Sequence, residues 1–228
     1  MAKHRNVPHH SHEDPDDKFV AAVVTGTDWF KRNSRVVTIA AIALFIVVAG
    51  GLYWVRYQRT LREAGSAQLS GIRQTVATGN TPLAMRDLTT FLDNFGATPS
   101  GGEGRLLMAQ LLLVEGRNEE ALQAASQLAA DLRDPLGPGA ARLAAAAYEQ
   151  MDRLPEAEQE FLRIAESAPR SFERHQAMAD AARIRAQRGD AQGAADLYRQ
   201  LLDSVPETDP QYPIIRLRLG EVEARSGA

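Results

Sequence analysis

The chain has 228 residues, a net charge of −3 at pH 7 and no cysteine, which excludes disulfides, thiolate nucleophiles, cysteine-type zinc sites and a lipid-modified N-terminal cysteine. Beyond Val55 every positive charge is an arginine; 20 Arg stand there against 24 Asp plus Glu, a balance of −4 that lacks the basic footprint of a nucleic-acid binder.

Residues 1–17, MAKHRNVPHHSHEDPDD, are polar and aperiodic, the pattern of a disordered tail. His9, His10 and His12 lie beside Glu13 and Asp14, but nothing there fixes a coordination geometry, so no metal site is assigned. From Lys18 the character changes. Phe19, Val23, Gly26 and Phe30 share one helical face, with Trp29 beside it and Lys31-Arg32 following, and residues 18–35 are predicted to form a short amphipathic helix lying at a membrane interface. The competing reading is an ordinary linker.

Val36 to Val55, VVTIAAIALFIVVAGGLYWV, carries no charge and only Thr38 as a clearly polar side chain. A helix of this length covers about 30 Å, the thickness of a bilayer's hydrocarbon core. A buried helix of a globular protein would show a polar stripe, and this run has none. Residues 36–55 are therefore predicted to cross a lipid bilayer once, with Tyr53, Trp54 and Tyr57 at headgroup level and Arg35 and Arg56 closing the ends. The long tail before the run and the bulky Tyr53-Trp54-Val55 after it argue against a cleaved signal peptide. Lys31, Arg32 and Arg35 on one side nearly balance Arg56, Arg59 and Arg62 on the other. The whole tail nevertheless holds six Lys plus Arg on the short side, which points to a tail in the cytoplasm and the large domain on the other side of the membrane.

Residues 56–228 read as helical throughout, rich in Ala, Leu, Arg, Gln and Glu, with no alternating β-branched run. Gly79, Gly116, Asp152 and Gly189 align as turn residues at spacings of 37, 36 and 37, and five places later stand Ala84, Ala121, Ala157 and Ala194. Four residues further come Leu88, Ala125, Phe161 and Tyr198, then Phe91, Leu128, Ile164 and Leu201. Seven places before the later turns stand Ala109, Ala145 and Ala182, whereas Ile72 occupies that place in the first unit. Small residues let paired helices approach, and the large ones fill the space beside them. The fold class expected is all-α: one transmembrane helix, then an α-solenoid of about four helix pairs (units near 61–99, 102–135, 138–170 and 173–207) and a C-terminal capping helix, 211–226.

No catalytic motif is present, and His175, the one histidine after the apolar run, has no nucleophile to serve, so neither an enzyme nor a cofactor nor a small-molecule substrate is expected. Carboxylate pairs such as Glu158/Glu160 and Glu119/Glu120 are expected on exposed faces of second helices. A protein-binding groove is expected on the first helix of each unit: Leu106, Gln110 and Leu113; Arg142, Ala146 and Glu149; Gln176, Ala179 and Arg183; and Arg216 from the cap. Arg142 and Arg183 have an equal alternative, pairing with neighbouring acids.

The stretches GRNEEALQAASQL, DRLPEAEQEFLRIAESAP and GDAQGAADLYRQLLDSVP, with their turn residue and alanine and, in the last two, closing Pro169 and Pro206, resemble the tetratricopeptide repeat. Taken with Trp29-Phe30-Lys31-Arg32-Asn33 and the exit Tyr53-Trp54-Val55-Arg56-Tyr57-Gln58, the architecture from about Asp17 onward resembles the membrane-anchored ancillary subunit family of the SecYEG translocon. That resemblance implies a non-catalytic adaptor whose partners are translocon subunits, a membrane-anchored prolyl isomerase chaperone and exported polypeptides. The rival reading is a scaffold of envelope assembly or division that holds one fixed partner.

Overall fold

The described residues of this computed structural model are 34–226; they form nine α-helices and no strand. The expected tail of residues 1–17 lies outside them, as does all but the last two positions of the expected interfacial helix. The helices are α1 (Ser34–Ala77), α2 (Thr81–Phe95), α3 (Pro99–Val114), α4 (Asn118–Ala129), α5 (Gly137–Gln150), α6 (Leu154–Ser167), α7 (Ser171–Gln187), α8 (Ala191–Ser204) and α9 (Tyr212–Ser226). The chain divides into two units, Met1–Arg59 and Thr60–Ala228.

In the first unit the described part is helix alone. Val36, Ile39, Ile42, Leu44, Phe45, Leu52, Trp54 and Val55 are exposed, an apolar surface along the helix. Thr38 hides its hydroxyl by donating to the Ser34 carbonyl at 2.8 Å, so the lone polar side chain of the run is satisfied within the helix. Tyr53 and Tyr57 stack one turn apart, 6.3 Å between centroids. By length and composition this helix can cross a membrane once.

In the second unit consecutive helices pack as antiparallel pairs, and one turn geometry joins the members of each pair. Gly79, Gly116 and Gly189 have φ of +80°, +72° and +90°, and Asp152 reaches +57°. The next residue (Asn80, Arg117, Arg153 or Asp190) donates its N–H five residues back, at 2.8 to 3.3 Å, while the turn residue itself donates three residues back. These are the two bonds of a Schellman C-cap, which needs a left-handed residue where these four stand. The same next residue then accepts the first hydrogen bond of the following helix, from Ala84, Ala121, Ala157 or Ala194. One residue thus ends one helix and starts the next, which sets the hairpin angle four times over.

Above each turn the small residues meet the facing helix. Ala84, Ala121, Ala157 and Ala194 are fully buried, as are Ala109, Ala145 and Ala182, and Leu88, Phe91, Ile164 and Leu201 fill the space around them. Ile72 breaks the small-residue pattern and is still buried. The close approach at that end is supplied instead by α3: a Cβ placed on Gly104 would lie 2.7 Å from the Phe91 ring, which stacks on Phe95 at 5.4 Å. Of the glycines in PSGGEG, Gly104 makes room for the Phe91 ring, Gly102 for Leu136, and Gly101 for the backbone carbonyls of Phe95 and Gly96.

Glu158 corrects one expectation. It stands on α6 with 5% of its surface exposed, bonded by Arg185 at 2.7 Å and by Arg188, both from the end of α7. Two guanidinium groups compensate a carboxylate that burial alone would disfavour. Glu160 is likewise tied down, by Arg163, which also reaches the Ala129 carbonyl at 2.7 Å.

Candidate protein-binding groove

The first helices α5 and α7 lie side by side, and their facing polar residues form a ladder. Arg183 donates two hydrogen bonds to Glu149, at 2.6 and 2.9 Å, in the fork geometry that suits a carboxylate. Asp180 sits 3.7 Å from Arg183 and 3.5 Å from Arg142. Arg183 holds the Glu149 carboxyl below its ordinary range, outweighing partial burial. Asp180 shifts the other way, because burial outweighs its two looser arginines. Arg142 and Arg183 therefore do pair with neighbouring acids, and both stay partly exposed, at 34% and 39% of the side chain.

Beside Arg183 a cleft of about 220 Å³ opens between α7, α8 and α9, lined by Arg183, Ala186, Gln187, Tyr198, Arg218, Glu221, Val222 and Arg225. Tyr198 stands in its wall, its hydroxyl 3.5 Å from the Ala179 carbonyl, and burial pushes its phenol pKa up, so it is a neutral donor at physiological pH. Arg218 pairs with Glu221 at 2.9 Å, and Arg225 makes no ion pair among the described residues. The cleft can offer guanidinium groups, a phenol and an apolar floor to an extended peptide.

The expected groove residues fall into three groups. Arg142, Glu149 and Arg183 come together in the ladder, with Ala146, Gln176 and Ala179 on the same two helices; Gln176 is exposed and the alanines are half-buried. On α3, Gln110 is exposed and Leu106 half-buried, but Leu113 packs with Leu112, Ala121 and Ala147 in the core between α3, α4 and α5, so it is not offered to a ligand. Arg216 is not in the cleft either; it lines a separate depression with Tyr212, Pro213 and Leu217, and the α9 arginines that line the cleft with Arg183 are Arg218 and Arg225. Asp180, Tyr198, Arg218 and Arg225 are groove residues that spacing alone did not single out. Asp180 was within reach of pattern reading, since it lies four residues after Gln176 and three before Arg183 on one helix face.

A family model described as a tetratricopeptide repeat-like domain matches residues 27–136. Among solved structures, the nearly identical TPR-like repeats of a Podosopora anserina protein assigned as a kinesin light chain superpose with a TM-score of 0.59 at 19% identity, covering 71% of this chain and 86% of that one. A tetratricopeptide repeat protein from Parabacteroides merdae gives 0.57 at 13% identity, covering 71% and 61%. At such identities these likenesses speak to the fold, a TPR-like solenoid. A search of curated protein sequences gives no match.

Proposed function

We propose that this chain is a non-catalytic adaptor, held in a bacterial inner membrane by residues 36–55, that binds polypeptide segments in the groove of its periplasmic repeats as an ancillary subunit of the SecYEG translocon. One observation carries the reading: an exposed apolar run of spanning length, residues 36–55, precedes a TPR-like solenoid in the same chain. The family match supports it, because it starts before the apolar run and continues into the repeats, treating anchor and repeats as one module. TPR-like solenoids act as protein-interaction scaffolds, and the Arg183 cleft gives this one a polar, partly apolar seat for a peptide. In this role its partners are translocon subunits, a membrane-anchored prolyl isomerase chaperone and chains emerging from export.

The test is recovery from membranes. After alkaline washing the full chain stays with the lipid, and affinity purification from mild detergent brings translocon subunits and exported polypeptides with it. One abundant envelope protein, with no translocon component, would instead establish the assembly or division scaffold.

A further inference from the structure

Helix α9 departs from the stack in one respect. In the preceding pairs the residue seven places before the turn, Ala109, Ala145 or Ala182, is fully buried against the second helix of its own pair. In the same register Gly220 stands seven places before Gly227, itself 38 residues after Gly189. Gly220 is exposed, and a Cβ added to it would meet nothing within 4 Å. Four places before Ala145, Ala182 and Gly220, buried Ala141 and half-buried Met178 correspond to exposed Arg216; seven places before, fully buried Pro138 and half-buried His175 correspond to exposed Pro213. Ile215 and Val222, on the opposite side, are buried in the main core. A face that a second helix covers in the earlier pairs is thus open on α9. Ile214 and Leu217 stand beside it at 59% and 63% exposure, and Tyr212, Pro213, Arg216 and Leu217 enclose a depression of about 380 Å³.

We infer that this face is an interface for a second copy of the chain, with α9 packed antiparallel on α9 across a two-fold axis at Gly220. The sequence of the face is self-complementary about that point. A two-fold axis at position 220 brings each residue a given distance before it opposite one the same distance after it. Arg216, four before, lands beside the partner's Glu223, three after, and the same ion pair forms twice. Among the described residues Arg216 makes no ion pair, while Arg199 at 2.6 Å orients Glu223. Glycine at the axis lets the two backbones come close, and Pro213 and Leu217 of each copy fill the space on either side. The helix is only about 22 Å long, a small interface for free molecules. Two copies anchored in one bilayer meet at a much higher effective concentration, a point that rests on the anchor proposed above.

The absence of cysteine makes the test direct. Gly220→Cys places one thiol in open space, and Ser126→Cys places one on exposed α4 as a control. The full chain is oxidised in native membranes, and fractionation of the same samples reads the anchor separately. The expected result is a disulfide-linked dimer from Gly220→Cys and none from Ser126→Cys. Adding Arg216→Glu lowers the linked fraction about fivefold, on the scale of exposed ion pairs, and adding Glu223→Arg as well restores it. A Gly220→Cys chain that stays monomeric, links to a different protein, links no better than the control, or ignores the charge reversal overturns the inference.

Discussion

Arg183 holds Glu149 across α5 and α7 through two hydrogen bonds of 2.6 and 2.9 Å, which makes this pair a polar tie between the third and fourth units. Replacing either residue by alanine is expected to cost about 1 kcal/mol, because both side chains remain partly in water and the gain is screened. Chemical denaturation of Arg183→Ala, Glu149→Ala and the double variant gives the coupling; because Arg183 also lies 3.7 Å from Asp180, the double variant is expected to cost less than the sum of the singles but no less than Arg183→Ala alone.

The acids of this ladder respond oppositely to pH. The folded pKa of Glu149 lies below its unfolded value of 4.5, so its stabilisation is present above that value and is lost as pH falls through the folded pKa. Asp180 has a raised folded pKa; its ionisation opposes folding at neutral pH, and that cost is relieved as pH falls through the raised value. Wild type should therefore exceed Glu149→Gln in stability at pH 7, with the difference shrinking as pH falls below 4.5, whereas Asp180→Asn should be the more stable chain at pH 7 and lose that advantage as pH falls. Urea titrations at five pH values separate the two.

Glu158 is nearly enclosed and has two arginines on it. Glu158→Ala removes the compensation from both and is expected to destabilise by about 3 kcal/mol, near the low end for breaking a buried pair because Arg188 can turn to solvent. The expected observation is a lowered thermal midpoint, with Arg188→Ala costing less than Arg185→Ala.

Asp152 is the one described residue other than glycine with a positive φ, in a turn where its three counterparts are glycine. Asp152→Gly should relieve the left-handed strain and stabilise by about 0.5 kcal/mol after the entropy of the freer unfolded chain is subtracted. Gly116→Val should do the reverse by more than 1 kcal/mol, at roughly the same surface exposure. Denaturant midpoints for the two variants test the turn geometry directly.

Gly104→Ala is expected to cost about 2 kcal/mol, since the new methyl would lie 2.7 Å from a ring atom of Phe91 in a filled core. A companion Phe91→Leu change, which opens that space, should recover part of the loss in the double variant.

The features legible in the sequence are those that depend on one residue's backbone. Four turn residues at near-constant spacing marked four left-handed positions, because few residue types tolerate that conformation. Seven alanines marked helix contacts for the same reason of size. What escaped pattern reading depends on rotation about a helix. Leu113 and Arg216 each lie a small turn away from the groove face, enough to send one into the core and the other to the far side of α9. Glu158 looked like surface charge because its arginines come from another helix, 27 and 30 residues on. The ladder was half visible: Arg142, Glu149 and Arg183 lay at matching places on successive first helices, but only the fold brings Asp180 between them.

The adaptor reading is tested most directly by photo-crosslinking of the full chain in growing cells, with the photoreactive group at exposed Gln176 in the groove and, as a control, at exposed Gln123 on α4. The expected result is a set of adducts from position 176 that contains translocon subunits and exported polypeptides, with little from position 123. Equal labelling from both faces, or no polypeptide adduct from position 176, would contradict it.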